Sequence, residues 1–401
     1  MRHVSGVGVR PSPQSTGTHL LILHQPESGS TDMAYEPLLS RKELINALEL
    51  MMRRMEIIDS HVMGGFPLYS PGHTDRWIVS PGGSWTGGFW GAWWWLRSRL
   101  TGSTADQRKA SDICQRLSSK ISVDSVNRSL IFWYGASLGA LWFDDANARE
   151  LTGEAIASLA ASYDPEINCI PLGIGMGGGK NGNKLITTDT FASLMQLLGH
   201  SDRDDYAHIS QCHANTILTA CHADDGVFHS VAHFEQEHFR PSDRAGMWSR
   251  GQAWAMLGLS RAAARWGEPY LTHAQSACEY WKRSRPEPLP PNRLDNPLGL
   301  SDPSSTVIAS LAMLSLADLV PDGTPWRIHA HQQITAIVRS RYFTGLDESK
   351  TTSNKTAPGK FWGCCYKTNE GKDALVESAW GSFFLMAALC VLIGAIEPNH
   401  C

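Results

Sequence analysis

The chain lacks the three features by which many functions announce themselves: a long apolar run, charge of one sign, and paired cysteines. No run of about 18 apolar residues occurs, so no membrane-spanning helix is predicted. The N-terminal Leu20-Leu21-Ile22-Leu23 is too short for a signal-peptide core, and a cytoplasmic location is expected. Basic and acidic residues, 35 and 39 in number, are mixed along the chain. There is no basic stripe for nucleic acid and no polybasic segment for lipid headgroups, so neither is an expected partner. The nine cysteines are odd in number and scattered, with no C-x-x-C pair, which reads as reduced core thiols rather than a zinc ribbon or redox motif.

Fifteen tryptophans and a hydrophobic content of 42% are ample for a thick aromatic core. Residues 1–32, rich in Ser, Gly, Pro and Thr, read as a disordered tail, with Met33 a candidate natural start. From Arg41 onward, helical patterns alternate with Gly, Pro, Asn and Asp clusters. They fall near 41–58, 86–100, 105–121, 129–142, 147–163, 188–198, 204–221, 249–266, 269–284, 304–319, 325–342 and 378–393. Short hairpin pieces are expected at Leu68–Tyr69, Trp77–Val79 and Val227–His233, and nothing alternates as a βαβ fold requires. Twelve helices without a long linker predict an all-α fold over 33–401, a single (α/α)6 barrel whose longer loops gather at one mouth.

Several motifs carry a bland reading beside a functional one. The run Gly173-Ile-Gly-Met-Gly-Gly-Gly-Lys180 fails the phosphate-loop spacing, because Ile174 and Asn181 stand where Gly and Ser or Thr are needed. His208, His213, His222, His229, His233 and His238 form no H-E-x-x-H, and read as surface or hydrogen-bonding residues. Asp189 follows two threonines that can cap a helix, so its bland role is a first-turn carboxylate stabilised by free amides. Its functional role is an acid/base group at a pocket mouth. Trp90 shares a helix face with Trp94, as core or as a stacking platform. In Trp248-Ser-Arg-Gly-Gln-Ala-Trp254, a helix from Ser249 puts Arg250 and Trp254 one turn apart. Gly251 and Gly258 leave another face smooth enough for close packing.

These residues resemble the unsaturated glucuronyl hydrolases, glycoside hydrolase family 88, with the unsaturated rhamnogalacturonyl hydrolases further off. The likeness runs in order through Trp85–Trp90, Leu185–Leu198, Trp248–Trp254, Ser304–Ala309 and Trp380-Gly381. It implies the (α/α)6 barrel and an unusual chemistry: protonation and hydration of the C4=C5 enol ether of a Δ4,5-unsaturated uronic acid, with no metal or cofactor. By resemblance Asp189 is the acid/base catalyst. Arg250 and Trp254 hold and stack the sugar, Trp90 is another wall, and His229 is a pocket histidine.

The departures are as informative. The family's H-D-x-G-F element supplies a second carboxylate at the start of the fourth helix. Here the region reads Leu130-Ile-Phe-Trp133-Tyr134-Gly-Ala-Ser137, with no Asp or Glu between Asp124 and Asp144. The family's W-T-D-G has become Trp85-Thr-Gly-Gly88, and its T-H-Q-G segment has no counterpart in Arg240–Gly246. The pocket is thus expected to gain Phe132, Trp133 and Tyr134, and for an apolar substrate Tyr134 is expected to supply a hydrogen bond where the carboxylate stood. Three readings stand: a divergent hydrolase of an unsaturated uronide, an isomerase, cyclase or dehydratase of an apolar metabolite in secondary metabolism, and a non-catalytic binding protein.

Overall fold

The computed structural model describes residues 37–72, 74–346, 357–368 and 371–401, so the expected tail at 1–32 lies outside the described residues. Residues 38–401 form one compact unit. Its helices are α1 (Arg41–Val62), α2 (Gly87–Thr101), α3 (Thr104–Gln115), α4 (Arg128–Phe132), α5 (Leu138–Phe143), α6 (Ala146–Ala160), α7 (Phe191–Gly199), α8 (Asp204–Cys221), α9 (Ser249–Trp266), α10 (Tyr270–Ser284), α11 (Pro303–Ala317), α12 (Thr324–Arg339) and α13 (Ala379–Leu392). A π-helical turn, Trp133–Ser137, joins α4 to α5, so the described helices make twelve rods.

Two rings result. In the inner ring α2, α4–α5, α7, α9, α11 and α13 each touch the next, and α13 closes back on α2. Outer partners are α3, α6, α8, α10, α12 and α1. This is the (α/α)6 barrel. The sequence explains the sorting: every residue of α11 is buried, whereas α10 and α12 bury one stripe. A helix apolar all round must lie inside, and a one-faced helix outside. Gly258 lets α9 close on α7, since a Cβ there would run into the Phe191 ring.

The strand content exceeds the expectation. One antiparallel sheet has the order β2-β1-β7-β6, built from Phe66–Pro71 (β1), Ile78–Ser80 (β2), Cys364–Lys367 (β6) and Asp373–Ser378 (β7). The other is β3-β4-β5, from Leu185–Thr187 (β3), Val231–Glu235 (β4) and His238–Pro241 (β5). β7 runs directly into α13, and a buried ion cluster fixes it. Arg54 of α1 donates to both Glu377 oxygens at 2.9 and 2.6 Å and to Asp75 at 2.7 Å. All nine cysteines are unpaired, and eight are buried.

Candidate active site

The inner helices converge by their N-terminal ends on a cavity of about 220 Å³. Trp85 comes from the turn before α2, Asn127 and Leu130 from the start of α4, and Asp189 from the turn before α7. Trp248, Arg250 and Trp254 come from the start of α9, and Trp380 from the start of α13. Tyr366 on β6 and Met176 on the glycine loop complete the lining. Five of these ten residues are aromatic, and one, Asp189, is a carboxylic acid.

Asp189 sits in a single 3₁₀ turn, Thr188–Thr190, because Thr187 ends β3 and its hydroxyl accepts the Asp189 N–H at 3.2 Å. The turn is held to α9 by the Thr188 hydroxyl, which donates to the Gly251 carbonyl at 3.2 Å. Oδ1 of Asp189 is buried without a hydrogen-bond partner. Burial raises its pKa from 3.8 to about 6, Arg250 opposes the rise and Asp243 adds to it. Desolvation thus outweighs the capping environment that would have held a bland first-turn carboxylate low.

Arg250 occupies the second residue of α9, with its guanidinium stacked between Trp248 at 5.1 Å and Trp380 at 4.9 Å. Nη1 donates to the Cys365 carbonyl at 2.8 Å and pairs with Asp302. Asp302 is wholly buried at the N-cap of α11 and also accepts from the Ser304 hydroxyl and the Cys365 N–H. Burial alone would lower the Arg250 pKa, but Asp302 and then Asp189 hold it raised. Asp302 itself is pushed up by burial against the pull of Arg250. Sequence reasoning missed Asp302. Its only signal was an Asp-Pro-Ser-Ser helix start, which reads as an ordinary N-terminus.

The expected site residues divide. Asp189, Arg250 and Trp254 come together in the cavity. Trp90 does not line it, and packs edge to face on Trp93 and Trp94 at 5.7 Å each. Trp133 also stays outside the lining and meets His200 edge on. Tyr134 stacks on Phe89 at 4.6 Å, deep in the ring, with its hydroxyl buried and unpartnered. Burial pushes that hydroxyl's pKa up. Tyr134 therefore does not line the cavity. The polar group at the start of the fourth rod is Asn127, whose side-chain amide donates to the Met176 carbonyl at 3.2 Å. His229 lies beside Asp243 and is not among the lining residues. In the glycine loop, backbone donors turn inward on Asp124: Gly175 N–H reaches its carbonyl at 2.7 Å and Ile174 N–H its carboxylate at 3.2 Å. The loop contributes Met176 to the lining.

No protein-family model matches the chain. It is 24% identical over 358 residues to the unsaturated glucuronyl hydrolase of Bacillus sp. (strain GL1), covering 81% of this chain and 90% of that protein. It is 22% identical to the unsaturated chondroitin disaccharide hydrolase of Streptococcus pyogenes serotype M1, covering 88% and 92%. A crystal structure of the Bacillus sp. GL1 unsaturated glucuronyl hydrolase, described as responsible for degradation of glycosaminoglycan, superposes with a TM-score of 0.76 at 20% identity, covering 89% of this chain and 98% of that one.

Proposed function

We propose that this unsaturated glucuronyl hydrolase-like protein is an acid/base enzyme, with Asp189 the proton donor and a Δ4,5-unsaturated uronide the substrate. The observation that carries the reading is a buried, unpartnered carboxyl oxygen with a raised pKa, on the one carboxylic acid of an aromatic cavity. A single acid does not suit ordinary glycoside hydrolysis, which needs two carboxyl groups roughly 5–10 Å apart. It suits protonation of an electron-rich alkene. Asp189 gives its proton to C4, the cation at C5 is stabilised by the ring oxygen, and water adds at C5. The water's proton returns to Asp189, and the hemiketal opens and releases the neighbouring sugar. Trp254 and Trp380 offer flat faces to the ring. The N-terminal ends of the inner helices, with Arg250, favour the substrate's carboxylate.

A second reading draws on two observations. The charge of Arg250 is already matched by Asp302, and an amide, Asn127, faces the cavity where an acid is absent. Both suit a neutral, apolar alkene that Asp189 isomerises or dehydrates. The deciding experiment follows loss of the conjugated C4=C5 absorbance in a panel of unsaturated disaccharides, with Asp189→Asn as control. Turnover that the variant abolishes supports hydration. A folded protein inert on the whole panel overturns it and favours the apolar alkene.

A further inference from the structure

A second carboxylate backs the turn that carries Asp189 without being among the residues that line the cavity. Asp243 follows β5, and the Ser230 N–H donates to its two oxygens at 3.2 and 3.0 Å, while the Ser230 hydroxyl donates to Oδ2. His229 closes the other side, with Nδ1 3.4 Å from Oδ1 and 2.7 Å from the Asp243 carbonyl oxygen. Ser230 also reaches both elements that build the site. Its carbonyl accepts the Thr188 N–H at 3.0 Å, and a Cβ on Gly251 would stand 2.7 Å from its own Cβ. The residue before Asp189 and the residue after Arg250 are thus joined through one serine, whose other side grips a carboxylate.

The charged groups that face Asp189 are few. Arg250 comes from α9 with Asp302 behind it, and Asp243 with His229 comes from the β4 side. Arg250 favours the ionised form of Asp189, and Asp243 opposes it. We propose that Asp243 is a positioning residue for Asp189: clamped by Ser230 and His229 behind the acid-bearing turn, it holds a like charge there that adds to burial and offsets part of the pull of Arg250. Asp243 thereby supplies from outside the cavity part of what a second cavity carboxylate would contribute, since a like charge disfavours ionisation. This rests on the acid/base reading of Asp189.

The test is an NMR titration of the whole protein carrying ¹³C-carboxyl aspartate, with the Asp189 signal assigned by its loss in Asp189→Asn. In Asp243→Asn the Asp189 midpoint falls, each pH unit lost being about a tenfold smaller protonated fraction on its alkaline side. Asp243→Glu restores the midpoint at least in part, and the pH profile of kcat/KM moves with it. Should Asp243→Asn fold poorly, Ser230→Ala loosens the clamp while keeping the carboxylate, and a smaller fall is expected. An unchanged midpoint in the folded variants overturns the proposal. The titration needs no turnover, so a midpoint that falls in a protein inert on every uronide supports the Asp243 assignment and defeats the uronide reading alone.

Discussion

Replacing Asp189 with Asn should stabilise the fold at neutral pH while removing activity. The carboxyl's pKa rises from 3.8 to about 6 on folding, so the folded state holds the proton more tightly than the unfolded chain does. A raised folded pKa means the contribution is fully present below about 3.8 and is lost as pH climbs through about 6. At roughly 1.4 kcal/mol per pH unit, that rise corresponds to on the order of 3 kcal/mol, the penalty the wild type carries at pH 7 for ionising a buried group. Asn is neutral at every pH and escapes that penalty. Urea unfolding of both proteins from about pH 3.5 to 8, with equal m-values, should therefore give curves that coincide at the acid end. They should diverge between about pH 4 and 6 and run parallel above, the variant higher by up to about 3 kcal/mol. The same substitution should lower kcat roughly 10²–10⁴-fold through loss of general acid catalysis. A constant offset across the whole pH range, or a less stable variant at pH 7, would show that ionisation of Asp189 carries no such penalty.

Asp302→Asn strips Arg250 of its buried counter-charge and should cost about 3–5 kcal/mol by urea unfolding. It should also displace the activity profile toward acid pH, because the freed guanidinium then acts on Asp189 alone. Tyr134→Phe removes a buried hydroxyl with no partner, so stability should hold or rise slightly and kcat should stay at wild type. A large loss of activity there would restore the expectation of Tyr134 as a donor. Asn127→Asp places a second acid in the cavity and should carry the Asp189 midpoint upward, read by the same aspartate titration.

The twelve rods were legible because helical periodicity and turn residues are local signals, and α8 and α9 begin and end where the pattern puts them. Asp189, Arg250 and Trp254 were legible as a group because short segments carry them. Trp90, Trp133 and Tyr134 show where periodicity stops informing. In an inner helix every face is buried, so spacing cannot tell an aromatic that meets a neighbour from one that meets the cavity. Tyr366, Asn127 and Asp302 were hidden for a different reason. Tyr366 stands on a strand of only four residues, too short for an alternation to show, and Asp302 acts on the site through a partner 52 positions away. In the fourth rod the expected aromatics, Trp133 and Tyr134, stay out of the lining, and Asn127 and Leu130 near its start reach the cavity.

The closure of the inner ring has a consequence for the order of events in folding. Trp85 and Trp380, whose rings lie 6.5 Å apart, form one wall of the cavity from opposite ends of the described chain. The Trp93 indole meets the Met386 sulfur 293 residues away, and Arg54 waits on Glu377. Contacts of that separation cannot form until the last helix has left the ribosome, and their loop-closure entropy delays them further. Nascent helical hairpins can dock pairwise long before, but none of them encloses the pocket. The ring that encloses the cavity is closed last, so loss of α13 would leave an open arc of helices, without the Trp380 wall.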